Sequence, residues 1–231
     1  MNSLFLQLGG EPSLYDAPLT YLILAITVYT SYRYMENSDE KRKMLFNAAA
    51  IDQYNQWYRF FSHGLIHKDW MHLGFNCFVL FMFGGQLEVL LKNEALFGPL
   101  VGPILYLTLY ITGLAMSSVY SFYKHRYNSS YNALGASGAV SSIVFASILL
   151  NPIAKIGLIF IPMEVLSLRA FIFGVLYLAY SAYKSKKAND NIGHDAHYWG
   201  SVWGFIFLLM FKPSLFLDFI RTIQWYLSSL F

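Results

Sequence analysis

The segment GASGAVSSIVFASILL, residues 135–150, contains no charged side chain and is followed by Asn151-Pro152. Ser137 lies near its beginning. The core of a bilayer offers no water to a hydroxyl group, so a serine at the start of an apolar helix is a candidate for chemistry. Gly135 and Gly138 beside it fit a nucleophile, because glycine permits a tight turn and lets a substrate carbonyl approach closely.

The same segment also has a structural interpretation. Small residues recur every four positions in it, and a second run near the end of the chain has the same pattern. The two sets are Gly138, Ser142 and Ala146, and Ala196, Gly200 and Gly204. Faces of small residues at this spacing allow membrane helices to pack closely. The pattern predicts a close crossing of two helices, and it leaves open whether the glycines serve catalysis or helix contact.

The composition is that of a membrane protein. The chain has 231 residues, of which 56% are hydrophobic, 19% aromatic and only 13% charged. These values are outside the range of ordinary soluble domains, and they predict a multi-pass integral protein whose partner is the lipid bilayer. Sixteen basic and thirteen acidic residues give a net charge of +3, which is too small for a nucleic-acid surface. A single cysteine, Cys77, excludes an internal disulfide.

Six apolar runs are predicted membrane spans. They are residues 17–32, 70–91, 95–123, 135–150, 165–183 and 196–211. Residues 156–162 are predicted to be a strand-like or interfacial hairpin, and residues 184–193 a polar loop. The fourth span, at about 16 residues and ~1.5 Å per residue, is shorter than the ~30 Å hydrocarbon core, so its first turn is predicted to lie below the membrane surface.

The C-terminal residues 213–231 predict an amphipathic helix at the membrane interface. Asp218 and Arg221 would be costly near the bilayer centre, although a seventh span remains the alternative. The fold class is therefore an all-α membrane protein. The sequence predicts one membrane domain over residues 1–231, with a six-helix core at about 17–211 followed by this interfacial helix.

Polar side chains converge if the six spans alternate in direction. The N-terminal ends of the second, fourth and sixth spans then lie on one side of the membrane. His72 and Asn76 lie at the first of these ends, Ser137 at the next and His197 at the last. An imidazole can take the proton of a serine hydroxyl during attack and return it to the leaving amine. The Ser137 N–H, the Asn76 amide and the His72 ring are candidate donors to an oxyanion.

Several motifs resemble the rhomboid intramembrane serine proteases over about residues 58–211. They are Arg59-Phe60-Phe61-Ser62-His63, His67, His72-Leu73-Gly74-Phe75-Asn76, Gly84-Gly85 with Glu88, Gly135-Ala136-Ser137-Gly138, and Ala196-His197 with Gly200 and Gly204. The resemblance implies a six-span bundle with a Ser–His dyad in a wet cavity below the membrane surface. Its substrates would be transmembrane segments of other membrane proteins. Ser137 would be the nucleophile and His197 the base, with His72 and Asn76 stabilising the oxyanion.

The resemblance also implies that no cofactor and no metal is needed, and it suggests the plasma membrane of a bacterium. One position departs from the family pattern. Many members have an aromatic residue one helical turn after the nucleophile, stacked on the catalytic imidazole, where this chain has Ser141. Either Ser141 holds the ring by a hydrogen bond or another aromatic residue replaces the missing one.

Other interpretations remain at this point. A catalytically silent rhomboid-like protein that binds transmembrane helices is the main alternative, and a transporter is another. His63 and His67 are predicted to be structural, with a metal site that includes His72 as the alternative. Asp195 is expected to point away from the dyad, and His194 is expected to be a solvated loop residue. Basic loop residues favour a cytoplasmic active-site face, whereas the resemblance implies the opposite orientation.

Overall fold

The computed structural model describes residues 12–35, 37–157, 167–187 and 193–231. The described residues form ten α-helices, one 3-10 turn and two short strands. The helices are α1 Pro18–Met35, α2 Ser38–Met44, α3 Ala48–Tyr54, α4 Arg59–Ser62, α5 Trp70–Leu91, α6 Gly98–His125, α7 Ser137–Leu150, α8 Ala170–Lys187, α9 His194–Phe211 and α10 Ser214–Ser228. The 3-10 turn is His63–Leu65, and the strands are β1 Lys155–Gly157 and β2 Ser167–Arg169.

Each predicted span coincides with a helix, although several ends differ. The second span is confirmed at Trp70–Leu91, where the Asp69 side chain caps the helix by accepting a bond from the His72 N–H at 2.8 Å. Helix α6, the third predicted span, begins at Gly98, three residues later than predicted. Helix α8, the fifth predicted span, begins at Ala170 and extends to Lys187, so the first part of the predicted polar loop is helical. The rest of that loop, residues 188–192, lies outside the described residues.

The predicted hairpin begins as expected. Strand β1 pairs antiparallel with β2, with Lys155 opposite Arg169. Residues 158–166, between the strands, lie outside the described residues, so the predicted interfacial position of 156–162 is not tested. Arg169 was predicted to be inside the fifth span, and that prediction is wrong. The residue ends β2, where its guanidinium donates to the Ile153 carbonyl at 2.7 Å and lies 4.6 Å from the centre of the Tyr226 ring.

Length and hydropathy identify fewer spans than the sequence predicted. Within the described residues, α5 and α6 are long and apolar enough to cross a membrane. The pair α9 and α10, bent by 116° at the break between them, would make a third if it counts as one span. Helix α7 is apolar but has only 14 residues. The fold is thus a mostly helical membrane bundle with two or three candidate spans by these criteria.

Helix α7 lies at the centre of the bundle. Of its 14 residues, only Ser137 and Ser147 are partly exposed, and the others are buried. Helices α5, α6 and α9 pack around it. The small residues Gly138 and Ser142 let the neighbouring helices approach it closely, which favours this central position. Ser137 is thus the partly exposed first residue of a mostly buried helix.

A buried carboxyl group fixes the start of α1 to α5. Glu88 has no exposed surface, and it accepts bonds from the Leu19 N–H at 3.1 Å and the Thr20 N–H at 2.8 Å. The Thr20 hydroxyl lies 2.8 Å from the same carboxyl and 2.7 Å from the Tyr106 hydroxyl. Lys92 Nζ lies 3.2 Å from Oε1 of Glu88, the oxygen that also accepts the bond from the Leu19 N–H. The first amides of a helix have no partner within it, so Glu88 satisfies two of them.

We expect Glu88→Gln to lower the free energy of unfolding by about 3 kcal/mol, because an amide group cannot accept all four of these bonds and leaves buried donors unpaired. Thermal unfolding in detergent micelles measures this loss. Glu94→Gln, at an exposed position, is the matched control and should leave the midpoint unchanged. Equal midpoints for the two variants would contradict a structural role for the Glu88 carboxyl group.

Candidate active site

The loop before α7 is shaped by a glycine and covered by a histidine. Gly135 has φ +111°, a conformation that is strained for residues with a side chain. A Cβ atom at this position would lie 2.6 Å from Cε1 of His72. The positive φ of the turn and the close approach of the His72 imidazole therefore both require glycine at position 135. His72, predicted from its position at the start of α5, lies against the loop that leads to Ser137.

Two buried histidines hold the same loop. The His63 carbonyl accepts a bond from the Gly135 N–H at 2.9 Å, and its ring lies 3.3 Å from the Ser118 hydroxyl. The ring of His67 accepts a bond from the Ala136 N–H at 3.3 Å and is 2.9 Å from the Ser31 hydroxyl. The structural role predicted for these two histidines is confirmed. The His67 contact joins α1 to the residue that precedes Ser137.

Burial keeps both rings uncharged. It lowers the pKa of His63 to about 4 and, with help from the nearby His72, that of His67 to about 3. The unfolded chain, with imidazole pKa values near 6.5, therefore binds more protons than the folded chain below that pH. The contribution of these two histidines to stability is complete well above pH 6.5 and is lost as the pH decreases toward 4.

We expect the free energy of unfolding to fall by roughly 3 kcal/mol between pH 6.5 and pH 5, because two buried imidazoles resist protonation. Unfolding curves in detergent over this range test it. His63→Gln and His67→Gln should each make the pH dependence shallower, since glutamine does not titrate. An unchanged slope in both variants would assign the acid sensitivity to other groups.

Helices α7 and α9 cross at contact distance. A Cβ on Gly200 would lie 2.2 Å from the Gly138 carbonyl oxygen, and one on Gly204 would lie 2.0 Å from the Ser142 carbonyl oxygen. The Ser142 hydroxyl also donates to the Gly200 carbonyl at 2.9 Å. The predicted crossing of the two faces of small residues is confirmed at these positions. On the other side of α7, a Cβ on Gly138 would lie 2.1 Å from the Ser117 hydroxyl of α6.

The crossing brings the regions of the two predicted catalytic residues together. A Cβ on Gly138, the residue after Ser137, would lie 3.6 Å from the carbonyl oxygen of Ala196, the residue before His197. Ser137 and His197 are both partly exposed. No hydrogen bond joins the Ser137 hydroxyl to the His197 ring in the described part of the chain. Such bonds are often long in free enzymes and tighten when substrate binds.

The predicted oxyanion donors lie on one face of α5. Asn76 is buried, and its amide donates to the His72 carbonyl at 2.9 Å, one turn earlier on the helix. An asparagine amide has two N–H groups, so one remains for another acceptor. The four residues predicted from the sequence therefore come from α5, α7 and α9; His72 lies against the loop before α7, and the start of α7 lies against the start of α9.

An aromatic residue that the sequence did not single out packs against His197. The ring of Tyr177, on α8, is stacked with the imidazole at a centroid distance of 6.2 Å and an angle of 28°. The Tyr177 hydroxyl lies 3.2 Å from that of Ser141. The sequence left two alternatives: a hydrogen bond from Ser141 to the imidazole, or another aromatic residue against it. In the structure another aromatic residue, Tyr177, lies against the imidazole, and Ser141 bonds to Tyr177. Nothing in the spacing along the chain relates Tyr177 to Ser141 or His197.

His194 was expected to be a solvated loop residue, and that prediction is wrong. It is the first residue of α9, is buried, and lies edge-on to His197 at 6.0 Å between ring centroids. The neighbouring Asp195 points away from the dyad, as predicted. Its carboxyl group is 2.9 Å from Lys124 Nζ and contacts the Ser185 hydroxyl. Asp195 thus links the ends of α6, α8 and α9.

The histidines form no metal site in the part of the chain that the structure describes. No group of three or more His, Cys, Asp or Glu residues there has an arrangement that could hold an ion. His63 and His67 use their ring nitrogens for the hydrogen bonds described above, which also competes with metal binding.

Comparison with known families agrees with the motifs. The family model described as Rhomboid domain matches residues 54–214. The matched range contains the loop histidines, the start of α7, the crossing of α7 with α9 and the whole of α8. No curated protein matches the chain.

Proposed function

The chain belongs to the rhomboid family of integral membrane proteins, and from this we propose that it is an intramembrane serine endopeptidase. Its substrates would be transmembrane segments of other membrane proteins, and Ser137 and His197 would form the catalytic dyad. The family consists generally of intramembrane serine proteases, which supports the reaction class.

The close crossing of α7 and α9 is the observation that carries the proposal. It puts the backbone beside Ser137 in contact with the backbone beside His197, because Gly138 and Gly200 leave no side chain between the helices. Ser137 is also the first residue of α7 and is partly exposed, whereas the residues between it and Ser147 are all buried.

The proposed reaction uses two groups in sequence. His197 accepts the proton of the Ser137 hydroxyl while the oxygen attacks the scissile carbonyl carbon, and it then gives that proton to the leaving amine. Water, deprotonated by the same imidazole, hydrolyses the acyl-enzyme. Asp195 takes no part, since its carboxyl group is held by Lys124 and Ser185. A dyad is therefore sufficient in this proposal.

Charge on the tetrahedral intermediate would be stabilised by donors from two helices. The Ser137 N–H is at the N-terminus of α7 and has no partner within the helix. The helix dipole also favours negative charge at this end. The second N–H of Asn76 and the His72 ring are the other donors. Each donor in a pre-organised site contributes about 10²-fold to 10³-fold to the rate. His72 has the additional task of covering Gly135.

We further propose that the chain forms one membrane domain with six spans, α1, α5, α6, α7, α8 and α9. Helix α7, with 14 residues at ~1.5 Å each, is about 21 Å long, which is shorter than the ~30 Å apolar layer. Its first turn would then lie below the membrane surface, in a cavity that admits water. Helix α10 would lie at the interface, because the 116° bend turns it away from the direction of α9.

The experiment that tests the function uses the whole chain in lipid vesicles together with a membrane protein that has one transmembrane segment. We expect cleavage within or next to that segment, and covalent labelling of Ser137 by a fluorophosphonate probe. A catalytically silent protein that captures transmembrane helices would bind the substrate without cleaving it and would not react with the probe. Binding without cleavage or labelling would therefore replace our proposal with that alternative.

A further inference from the structure

Tyr177 is held on several sides. Its hydroxyl lies 3.2 Å from the Ser141 hydroxyl on α7, and its ring contacts Phe145 of α7 at 5.9 Å and Phe173 of α8 at 5.6 Å between centroids. These contacts leave the ring little freedom to rotate, because stacking fixes its face and the hydrogen bond fixes its end.

The face of this fixed ring lies against His197. A centroid distance of 6.2 Å and an angle of 28° are within the range of favourable aromatic pairs. His194 lies against the same imidazole at 81°, with 6.0 Å between centroids. A base without a carboxylate partner needs some other contact to fix its orientation, because an imidazole turned about its bonds cannot reach the serine hydroxyl.

We propose that Tyr177 is the positioning residue of the dyad: its ring fixes the plane of the His197 imidazole toward Ser137, and Ser141 fixes the ring. The inference rests on the proposed function. Tyr177 touches neither the substrate nor the reacting atoms, so it acts on the rate only through His197. Stacking is the essential contribution, and the hydrogen bond between the Ser141 and Tyr177 hydroxyls is a secondary one.

Because Tyr177 belongs to α8, the orientation of His197 depends on where this helix lies. Phe145, Ser141 and Ser137 belong to α7 and His197 belongs to α9, so the ring connects a third helix to the dyad. A displacement of α8 away from α7 would remove the ring from the imidazole. The orientation of the base is thus tied to the position of this helix.

The test compares Tyr177→Leu, Tyr177→Phe and the control Leu176→Ala, which truncates an exposed side chain next to Tyr177 on the same helix. The measurements are kcat and KM on the single-span substrate in vesicles, the rate of fluorophosphonate labelling of Ser137, and the thermal midpoint. Assays are run well below the midpoint of every variant, so that a loss of stability does not reduce the rates.

For Tyr177→Leu we expect kcat and the labelling rate to fall about tenfold with KM little changed, which corresponds to about 1.4 kcal/mol in the activation free energy. Tyr177→Phe keeps the stacked ring, and it should retain a rate within about threefold of the wild type, since it lacks only the hydrogen bond. A merely structural residue would change the midpoint without this difference between leucine and phenylalanine.

The outcomes separate the two proposals. If the wild-type protein cleaves and is labelled, but Tyr177→Leu has the same kcat and labelling rate as Leu176→Ala, the role of Tyr177 is refuted and the proteolytic function stands. If the wild-type protein does not cleave the substrate and is not labelled by the probe, the proposed function fails, and the role of Tyr177 fails with it.

Discussion

Replacing Ser137 with alanine is expected to reduce cleavage of a transmembrane substrate by at least about 10⁴-fold, because the variant has no nucleophile at the start of α7. His197→Ala should cause a loss of similar size, since the hydroxyl without a base is a poor nucleophile. The double variant should be no worse than either single one, because the two groups act as a unit. Cleavage is followed in vesicles that contain a single-span substrate.

Ser147→Ala is the matched control for the nucleophile. Ser147 lies on the same helix and is also partly exposed, but its hydroxyl bonds to the Ile143 carbonyl at 3.0 Å within α7. We expect this variant to cleave at the wild-type rate. Fluorophosphonate labelling should be lost in Ser137→Ala and kept in Ser147→Ala. Undiminished cleavage by both Ser137→Ala and His197→Ala would end the proposed dyad.

Gly200→Ala is expected to cost about 3 kcal/mol or more of the free energy of unfolding, because a methyl group would enter a contact between two backbones. The added Cβ would lie 2.2 Å from the Gly138 carbonyl oxygen and 3.1 Å from the Gly138 Cα. Main-chain atoms in a helix cannot turn aside as a side chain can. The helices α7 and α9 would have to separate, so cleavage should be lost together with stability.

Gly74→Ala provides the comparison for this prediction. Gly74 lies in α5, and apart from its neighbouring residues and the nearby backbone of its own helix, no atom is within 4 Å of the position that its Cβ would occupy. Alanine forms helix more readily than glycine by about 1 kcal/mol, so this variant should be as stable as the wild type or more stable. Thermal unfolding in detergent micelles measures both. A Gly200→Ala protein with the midpoint of Gly74→Ala would show that the crossing can open without cost.

The sequence identified the residues of the candidate site because their chemistry is rare in an apolar chain. A serine, two histidines and an asparagine at the ends of uncharged runs are conspicuous where water is absent, and alternation of spans relates them without any coordinates. Spacing by four predicted the crossing of α7 with α9, since small residues on one face of a helix are a local property. The start of α8 was not predicted, because it follows the pairing of β1 with β2, which joins residues distant along the chain.

What the sequence by itself determined was therefore the membrane class, the apolar helix at residues 135–150 and the choice of Ser137, His197, His72 and Asn76 as site candidates, since each follows from residue type and periodicity. Only the tertiary structure decided which ring lies against His197, that His194 is buried and that Asp195 bonds to Lys124 and Ser185. The physical reason is that these contacts join side chains on different helices. Their meeting depends on how the helices are rotated and packed, and no spacing along the chain records that rotation.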